Sequence, residues 1–176
     1  MEQLECKRCI LSRTDYPNIS FNFEGVCDIC LSFDIIRRDS VPHPDLAPLK
    51  LTELLDKVRN SGRGKSYDCI IGVSGGVDST YLCYLAKSWN LRPLLLHVDN
   101  GWNTELAVNN IECIVDKCDF DLHTKVLDWN QLRDIQRSFI KSHVMDIDLP
   151  FDNAFVSVLF NVAFKHNIKF ILSGHN

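Results

Sequence analysis

The sequence has no basic excess, no long apolar run and no internal repeat, and each absence removes a class of protein. Nineteen lysines and arginines stand against 23 aspartates and glutamates, giving a formal charge of −4 and a pI near 5.8. Outside a local patch, that balance leaves no electrostatic footprint for a long nucleic-acid backbone, so a nucleic-acid partner is not expected. No stretch approaches the roughly 18 apolar residues needed to span a bilayer. The opening "MEQLECKRCI" also lacks the basic segment and apolar run of an export leader. A cytoplasmic protein without a membrane partner is therefore expected. Low-complexity segments are absent too, which leaves an ordinary folded chain.

What is present fits that frame. The 176 residues, 45% of them apolar, suffice for one ordinary domain plus a small appendage. In a reducing compartment the eight cysteines point to metal binding and core packing rather than disulfides. Residues 1–35 show little helical periodicity and many turn formers, which predicts a small knuckle domain. Residues 36–66 read as a helical linker in which Leu51, Leu54, Leu55 and Val58 recur at helical spacing, and Gly62 and Gly64 end the helix. From residue 67 to 176 strands and helices alternate. The pattern predicts strands at 68–73, 93–98, 121–127 and 169–173, helices at 78–89, 104–117, 129–142 and 153–166, and a loop over 143–152. Such alternation implies an α/β fold with an open parallel sheet. "CIIGV", "PLLLHV" and "KFILS" are nearly continuous apolar runs, as in strands covered on both faces. "KFILSGHN" reads as a buried strand opening into a turn, and the expectation is that it belongs to the N-terminal portion of a longer enzyme.

In open α/β sheets a ligand sits beyond the carboxyl ends of the strands. Three such ends carry "SGGVDS", "HVDNGW" and "SGHN". In the first, a strand ending at Val73 runs into Ser74-Gly75-Gly76 and a helix. A helix start leaves backbone N–H groups unpaired and partly positive, so the turn suits an anion. Gly75 and Gly76 let backbone approach a phosphate, Ser74 and Ser79 offer hydroxyls, and Asp78 can cap the helix or hold a magnesium ion. The plain alternative is a tight turn with an Asp or Ser cap. Asp99 faces a similar choice between ligand and turn cap, and His97 and His175, taken singly, read as structural histidines.

Cys6 and Cys9, then 17 residues, then Cys27 and Cys30 give the four-thiolate spacing of a tetrahedral zinc site. A complete set leaves no open coordination position, which assigns the metal a structural role; an iron–sulfur centre uses the same ligands. Cys69, Cys83, Cys113 and Cys118 lack partners at ligand spacing and are expected as small core residues. His143, Asp146, Asp148 and Asp152 either face an acceptor or cation or form a solvated loop.

"SGGVDS" resembles the SGGxDS signature of the PP-loop ATP pyrophosphatases; it is neither a Walker A loop nor a Rossmann GxGxxG. The resemblance implies an adenine nucleotide alpha hydrolase-like fold and cleavage of ATP between its α- and β-phosphates. Val73, Ser74, Gly75, Gly76, Asp78, Ser79, His97, Asp99, Gly174 and His175 are implied as nucleotide-binding residues, with Asp78 and Ser79 in the chemistry and Mg2+ beside ATP. Many members have lysine where this chain has Val77, so backbone donors and a lysine or arginine elsewhere are expected to balance the phosphate charge. The order "CKRCILSRTDYPNISFNFEGVCDIC", helical linker, "YDCIIGVSGGVDST", "LHVDNGWNTELAVNNIE" and "ILSGHN" is similar to the N-terminal half of the N-acetyl sugar amidotransferases of bacterial surface-polysaccharide and nonulosonic acid pathways. That resemblance implies an N-acetyl sugar substrate, nucleotide-linked, and ammonia from a separate glutaminase subunit. A tRNA thiolase of the same superfamily is the alternative, but those related to the two-thiouridine and two-thiocytidine enzymes usually carry a further CxxC after the third strand. The matching stretch "KSHVMDIDLPFDNA" has no cysteine. A non-catalytic ATP- or zinc-binding module is a third reading.

Overall fold

In the computed structural model, residues 5–174 are described and fall into two compact units divided between Glu53 and Leu54. The first holds two isolated antiparallel bridges, Glu5 with Ser12 and Phe21 with Cys27, followed by helix α1 (Asp28–Ser40). The start of α1 falls in a segment where no helix was expected. Its apolar residues Ile29, Leu31, Phe33 and Ile35 alternate like a strand, and none of the helix is buried, so no helical periodicity was imposed on it. Helix α2 (Ala47–Ser61) runs across the division and stops just before Gly62.

The second unit is a four-stranded parallel sheet. Strands β1 (Cys69–Gly72), β2 (Pro93–Asp99), β3 (Leu122–Val126) and β4 (Ile171–Leu172) lie in the order β3-β2-β1-β4. Between them come α3 (Val77–Ser88), α4 (Glu105–Cys118), α5 (Trp129–Lys141) and α6 (Leu149–Lys165). The two central strands are nearly continuous in apolar residues because both their faces are covered, with His97 and Asp99 coming only at the end of β2. Cys69, Ile71 and Leu95 point to one face, where they pack with Leu55 and Val58 of α2, Cys83 and Ala86 of α3, and Ile111 and Ile114 of α4. Ile70, Leu94, Leu96 and Val98 point to the other, against Leu159, Val162 and Ala163 of α6. The edge strands differ: β3 is largely exposed, and Ile171 and Leu172 are only half-buried.

Helix α6 starts at Leu149, four residues before the sequence-based boundary. Pro150 lies in its first turn, where the missing N–H of proline would be unpaired anyway. The expectation for the lone cysteines holds for Cys69 and Cys83, fully buried with their thiols pushed up to about 12 by that burial. Cys118 is half-buried against the same core, whereas Cys113 is exposed and is not a core residue.

At the amino end of the sheet, Asp68 is almost fully buried and receives three hydrogen bonds from Arg92: backbone N at 3.0 Å, Nε at 3.3 Å and Nη2 at 2.6 Å. Arg92 also donates to the carbonyls of Gly62 and Lys65, tying the end of α2 to the start of β2. Arg92→Ala would strip the buried Asp68 carboxylate of its ion-pair partner and leave it the backbone N–H of residue 92. The expected loss is about 2–3 kcal/mol, somewhat below the cost for a fully buried pair because the guanidinium is half exposed. Urea unfolding measures it, and a change under about 0.5 kcal/mol would show that water already screens the pair.

Candidate nucleotide site and metal centre

The strand order changes direction at β1, with β2 and β3 on one side and β4 on the other. Ligands of open α/β sheets bind at such a point, outside the carboxyl ends of the strands. A cleft of about 350 Å³ opens there. Its walls include Gly72, Val73 and Ser74 from the end of β1, Asp78 and Ser79 from α3, His97 from β2, and Ser173 and Gly174 after β4. The opposite wall is apolar, with Phe151, Phe155 and Leu159 of α6. Gly72 is required by that wall, since a Cβ there would lie 2.5 Å from the Phe155 ring.

The β1–α3 turn is braced from several sides. Gly75 has φ +75°, and a Cβ on it would meet the Ala107 carbonyl oxygen of α4 at 2.3 Å. Gly76 is the N-cap of α3, and no side chain caps the helix. The first N–H groups of α3 therefore lack intrahelical partners and carry the positive end of its dipole. Ser79 Oγ donates to the Gly76 carbonyl at 3.2 Å and lies 3.4 Å from Ser74 Oγ, so this hydroxyl is engaged within the turn. A Cβ on Gly174 would sit 3.1 Å from the Asp78 backbone, so the β4 end closes directly on the start of α3.

His97 is buried, with Nδ1 3.1 Å from the Val73 carbonyl and Nε2 3.2 Å from Asn103 Nδ2. A carbonyl only accepts, so Nδ1 carries the proton, and Nε2 accepts from the Asn103 amide. Both ring nitrogens serve the protein, joining the end of β1 to the loop after β2. Asp99 Oδ1 accepts from Gly101 N at 2.9 Å and Asn103 Nδ2 at 2.8 Å. Of its two sequence readings, this geometry is that of a turn cap. The same loop is held by Trp102, whose Nε1 donates to buried Gln136 at 3.1 Å and whose ring meets Trp129 edge-on at 5.3 Å.

Asp152 lies in the first turn of α6 and lines the cleft, while His143, Asp146 and Asp148 are exposed and are not among its lining residues. His175 lies outside the described residues. Among the described lining residues the formal charges are the carboxylates of Asp78 and Asp152, with no lysine or arginine. Val77 occupies the variable position of the motif with its side chain 79% exposed. An anion in this cleft would thus meet the α3 N-terminus and two carboxylates, a donor set that suits an anion carried with a divalent cation.

In the first unit, Cys6, Cys9, Cys27 and Cys30 bring their sulfurs within 4.8 Å of one another, with Cys9 and Cys27 Sγ 3.7 Å apart. Four sulfurs at about 2.3 Å from one ion form a tetrahedron with edges of about 3.8 Å, so the set fits a single tetrahedral metal ion. The N–H groups of Arg8 and Cys27 donate to Cys6 Sγ, both at 3.3 Å, and Cys30 N donates to Cys27 Sγ at 3.4 Å. Burial pushes the Cys6 thiol up, but these backbone donors outweigh it and hold the thiol at about 6. Cys30 is pushed up to about 12, first by its hydrogen bond with Cys9 and then by burial and the adjoining thiols. Four thiolates cannot crowd together without a cation among them. Arg8 and Asp34 form a two-pronged ion pair, with Nη2 to Oδ1 at 2.7 Å, which fastens the first Cys-x-x-Cys loop to α1.

No family model matches the chain, and no curated protein matches it. Solved structures do. The NH3-dependent NAD synthetase of Campylobacter jejuni subsp. jejuni NCTC 11168, in complex with the nitrate ion, superposes with a TM-score of 0.50 and 17% identity over 73% of this chain and 56% of that one. NMN synthetase of Francisella tularensis gives 0.48 and 16%, over 66% of this chain and 50% of that one. The U34-tRNA thiolase NcsA of Methanococcus maripaludis, with its 4Fe-4S cluster, gives 0.48 and 17%, over 100% and 55%. The likeness to the Campylobacter synthetase establishes the fold, an α/β parallel sheet like that of the synthetase, here accompanied by an N-terminal four-cysteine cluster. The chain spans about half the length of the solved structures it matches. Among the described residues no helix is long and apolar enough to cross a membrane.

Proposed function

We propose that this chain carries the ATP-binding half of an AMP-forming ligase that converts the acetamido group of an N-acetyl sugar into an acetamidino group. The observation that carries the nucleotide assignment is the β1–α3 turn. "SGGVDS" sits at the strand-order reversal, its helix N-terminus has no side-chain cap, and the turn borders a cleft with one apolar wall. ATP phosphates would seat against the N–H groups at the start of α3, and the base would use the apolar wall. Asp78 and Asp152 would hold a magnesium ion, which supplies charge neutralisation for the phosphates.

The acceptor assignment rests on the sequence resemblance, in which the cysteine knuckle, helical linker and PP-loop follow one another in the order of the sugar amidotransferases. An amide is a poor electrophile until its oxygen becomes a leaving group. The amide oxygen would attack the α-phosphorus and expel pyrophosphate; ammonia would then add to the amide carbon and AMP would depart with that oxygen. Ammonia would come from a glutaminase partner. The four cysteines would hold zinc in a closed structural site, which a single-ion tetrahedron favours over a polynuclear cluster.

Product analysis tests the reading. With magnesium, ammonia and a nucleotide-linked N-acetyl sugar, ATP should yield AMP and pyrophosphate in amounts equal to the amidine formed. ADP and phosphate as products would contradict α,β-cleavage, and AMP release dependent on unmodified tRNA would move the acceptor to the thiolase class. Asp78→Ala should reduce turnover about a hundredfold while leaving the unfolding midpoint unchanged, since the side chain faces the cleft and is exposed. Undiminished turnover in that variant would remove Asp78 from the site.

A further inference from the structure

The two glycines that let backbone approach a ligand also create a problem. A Gly-Gly peptide can rotate either way at little cost, because neither residue has a Cβ to forbid positive φ. A turn that receives an anion must present N–H groups and aim its carbonyl oxygens elsewhere. Three carbonyls of this turn are tied to protein donors. Val73 O faces His97 Nδ1 at 3.1 Å, Gly76 O accepts from Thr80 Oγ1 at 2.7 Å and Ser79 Oγ at 3.2 Å, and Gly75 O accepts from Asn110 Nδ2 at 2.9 Å. The Gly76 bonds are local to α3 and arise in any helix that starts with serine and threonine near its cap. The Gly75 bond is different, because its donor reaches in from α4, 35 positions along the chain.

We propose that Asn110 is a positioning residue for the phosphate turn: it fixes the Gly75–Gly76 peptide in the orientation that turns N–H, not C=O, toward the anion. The inference rests on the reading of that turn as the ATP phosphate site. In a trans peptide the carbonyl and the following N–H point in opposite directions. Holding Gly75 O against α4 therefore aims Gly76 N–H the other way, toward Ser74 Oγ at 3.3 Å, and Ser74 lines the cleft. Gly75 O can only accept, so the nitrogen of the Asn110 amide must face it, and the interaction needs a donor at this position. Asn110 stands one turn beyond Ala107, whose backbone leaves no room for a Cβ on Gly75, so α4 both backs the turn and orients its softest peptide.

The test is calorimetric titration of the protein and its Asn110→Leu variant with magnesium-ATP and, separately, with adenosine. Leucine keeps the branched heavy-atom skeleton and removes the donor. The variant should bind magnesium-ATP about tenfold more weakly and adenosine within about twofold of the unsubstituted protein. Asn110→Ala, which removes the donor without any branched bulk, should give the same split if leucine perturbs α4. Unchanged ATP affinity in both variants overturns the proposal, and so does an equal loss for both ligands, which is the mark of a purely structural role. Absence of ATP binding by the unsubstituted protein would instead overturn the nucleotide reading, and the positioning role with it.

Discussion

Cys27→Ser should empty the metal centre and unfold the first unit. Cys27 is fully buried, and its sulfur caps α1 by accepting from Cys30 N. Its backbone pairs with Phe21, and among the described residues its side chain forms the buried part of this small core with Cys6 and Ile19 alone. Such a core cannot offset the entropy of ordering the chain around it. Structural zinc in small domains contributes about 10–16 kcal/mol, which no other interaction described in this unit approaches. Metal content by mass spectrometry should fall to background in the variant. Amide resonances of residues 5–40 should collapse to unfolded positions while those of the sheet persist, and a chelator should reproduce the pattern in the unsubstituted protein. Full metal content with dispersed resonances would contradict the four-thiolate assignment.

Gly75→Ala should be far more damaging than Gly76→Ala, although the two residues look equivalent in the sequence. Gly75 sits at φ +75°, where a non-glycine residue is strained by about 1–2 kcal/mol, and its new Cβ would lie 2.3 Å from the Ala107 carbonyl oxygen and 2.7 Å from the Ala107 Cα. Helix backbone cannot yield as a side chain can, so the turn must move off α4 and release its bond to Asn110. A total loss of about 3 kcal/mol or more is expected, with magnesium-ATP affinity falling more than about a hundredfold. Gly76 has φ −79°, and a Cβ there would meet only Ser74 Oγ, at 3.2 Å. Its alanine variant should lose about 1 kcal/mol or less. Denaturant unfolding of the two variants side by side decides the matter. Equal, small losses would mean that the turn does not pack on α4 as described.

The contrast shows where sequence reading stops. The central strands were legible because both of their faces are buried, which favours nearly continuous apolar runs such as "CIIGV" and "PLLLHV". The turn was legible because a chain that passes from strand to helix this close to α4 needs glycine at φ +75°. The cysteine spacing was legible because a tetrahedral ion dictates it. What escaped depends on pairs far apart in sequence. Nothing near Asp68 announces Arg92, and Asn110 within "LAVNNIE" looks like any polar helix residue until Gly75 is placed beside it. Trp102, Trp129 and Gln136 form their cluster only after β3 and α5 have returned to the loop. Helix α1 escaped for the opposite reason: with no buried face, it leaves no periodic trace. The loop expected over 143–152 overlaps the first turn of α6, where Pro150 fits because its missing N–H would be unpaired anyway, and it is this turn that carries Asp152 to the cleft.

The central claim is that ATP seats at the turn between β1 and α3. Titrating isotope-labelled protein with magnesium-ATP and following backbone amide resonances tests it most directly. The account predicts saturable shifts at Gly75, Gly76, Val77 and Asp78, extending to Gly174 and the Phe155 wall. Shifts confined instead to the cleft at the amino end of the sheet, lined by Tyr67, Lys87, Arg92 and Asp121, or no shifts at millimolar ATP, would contradict it.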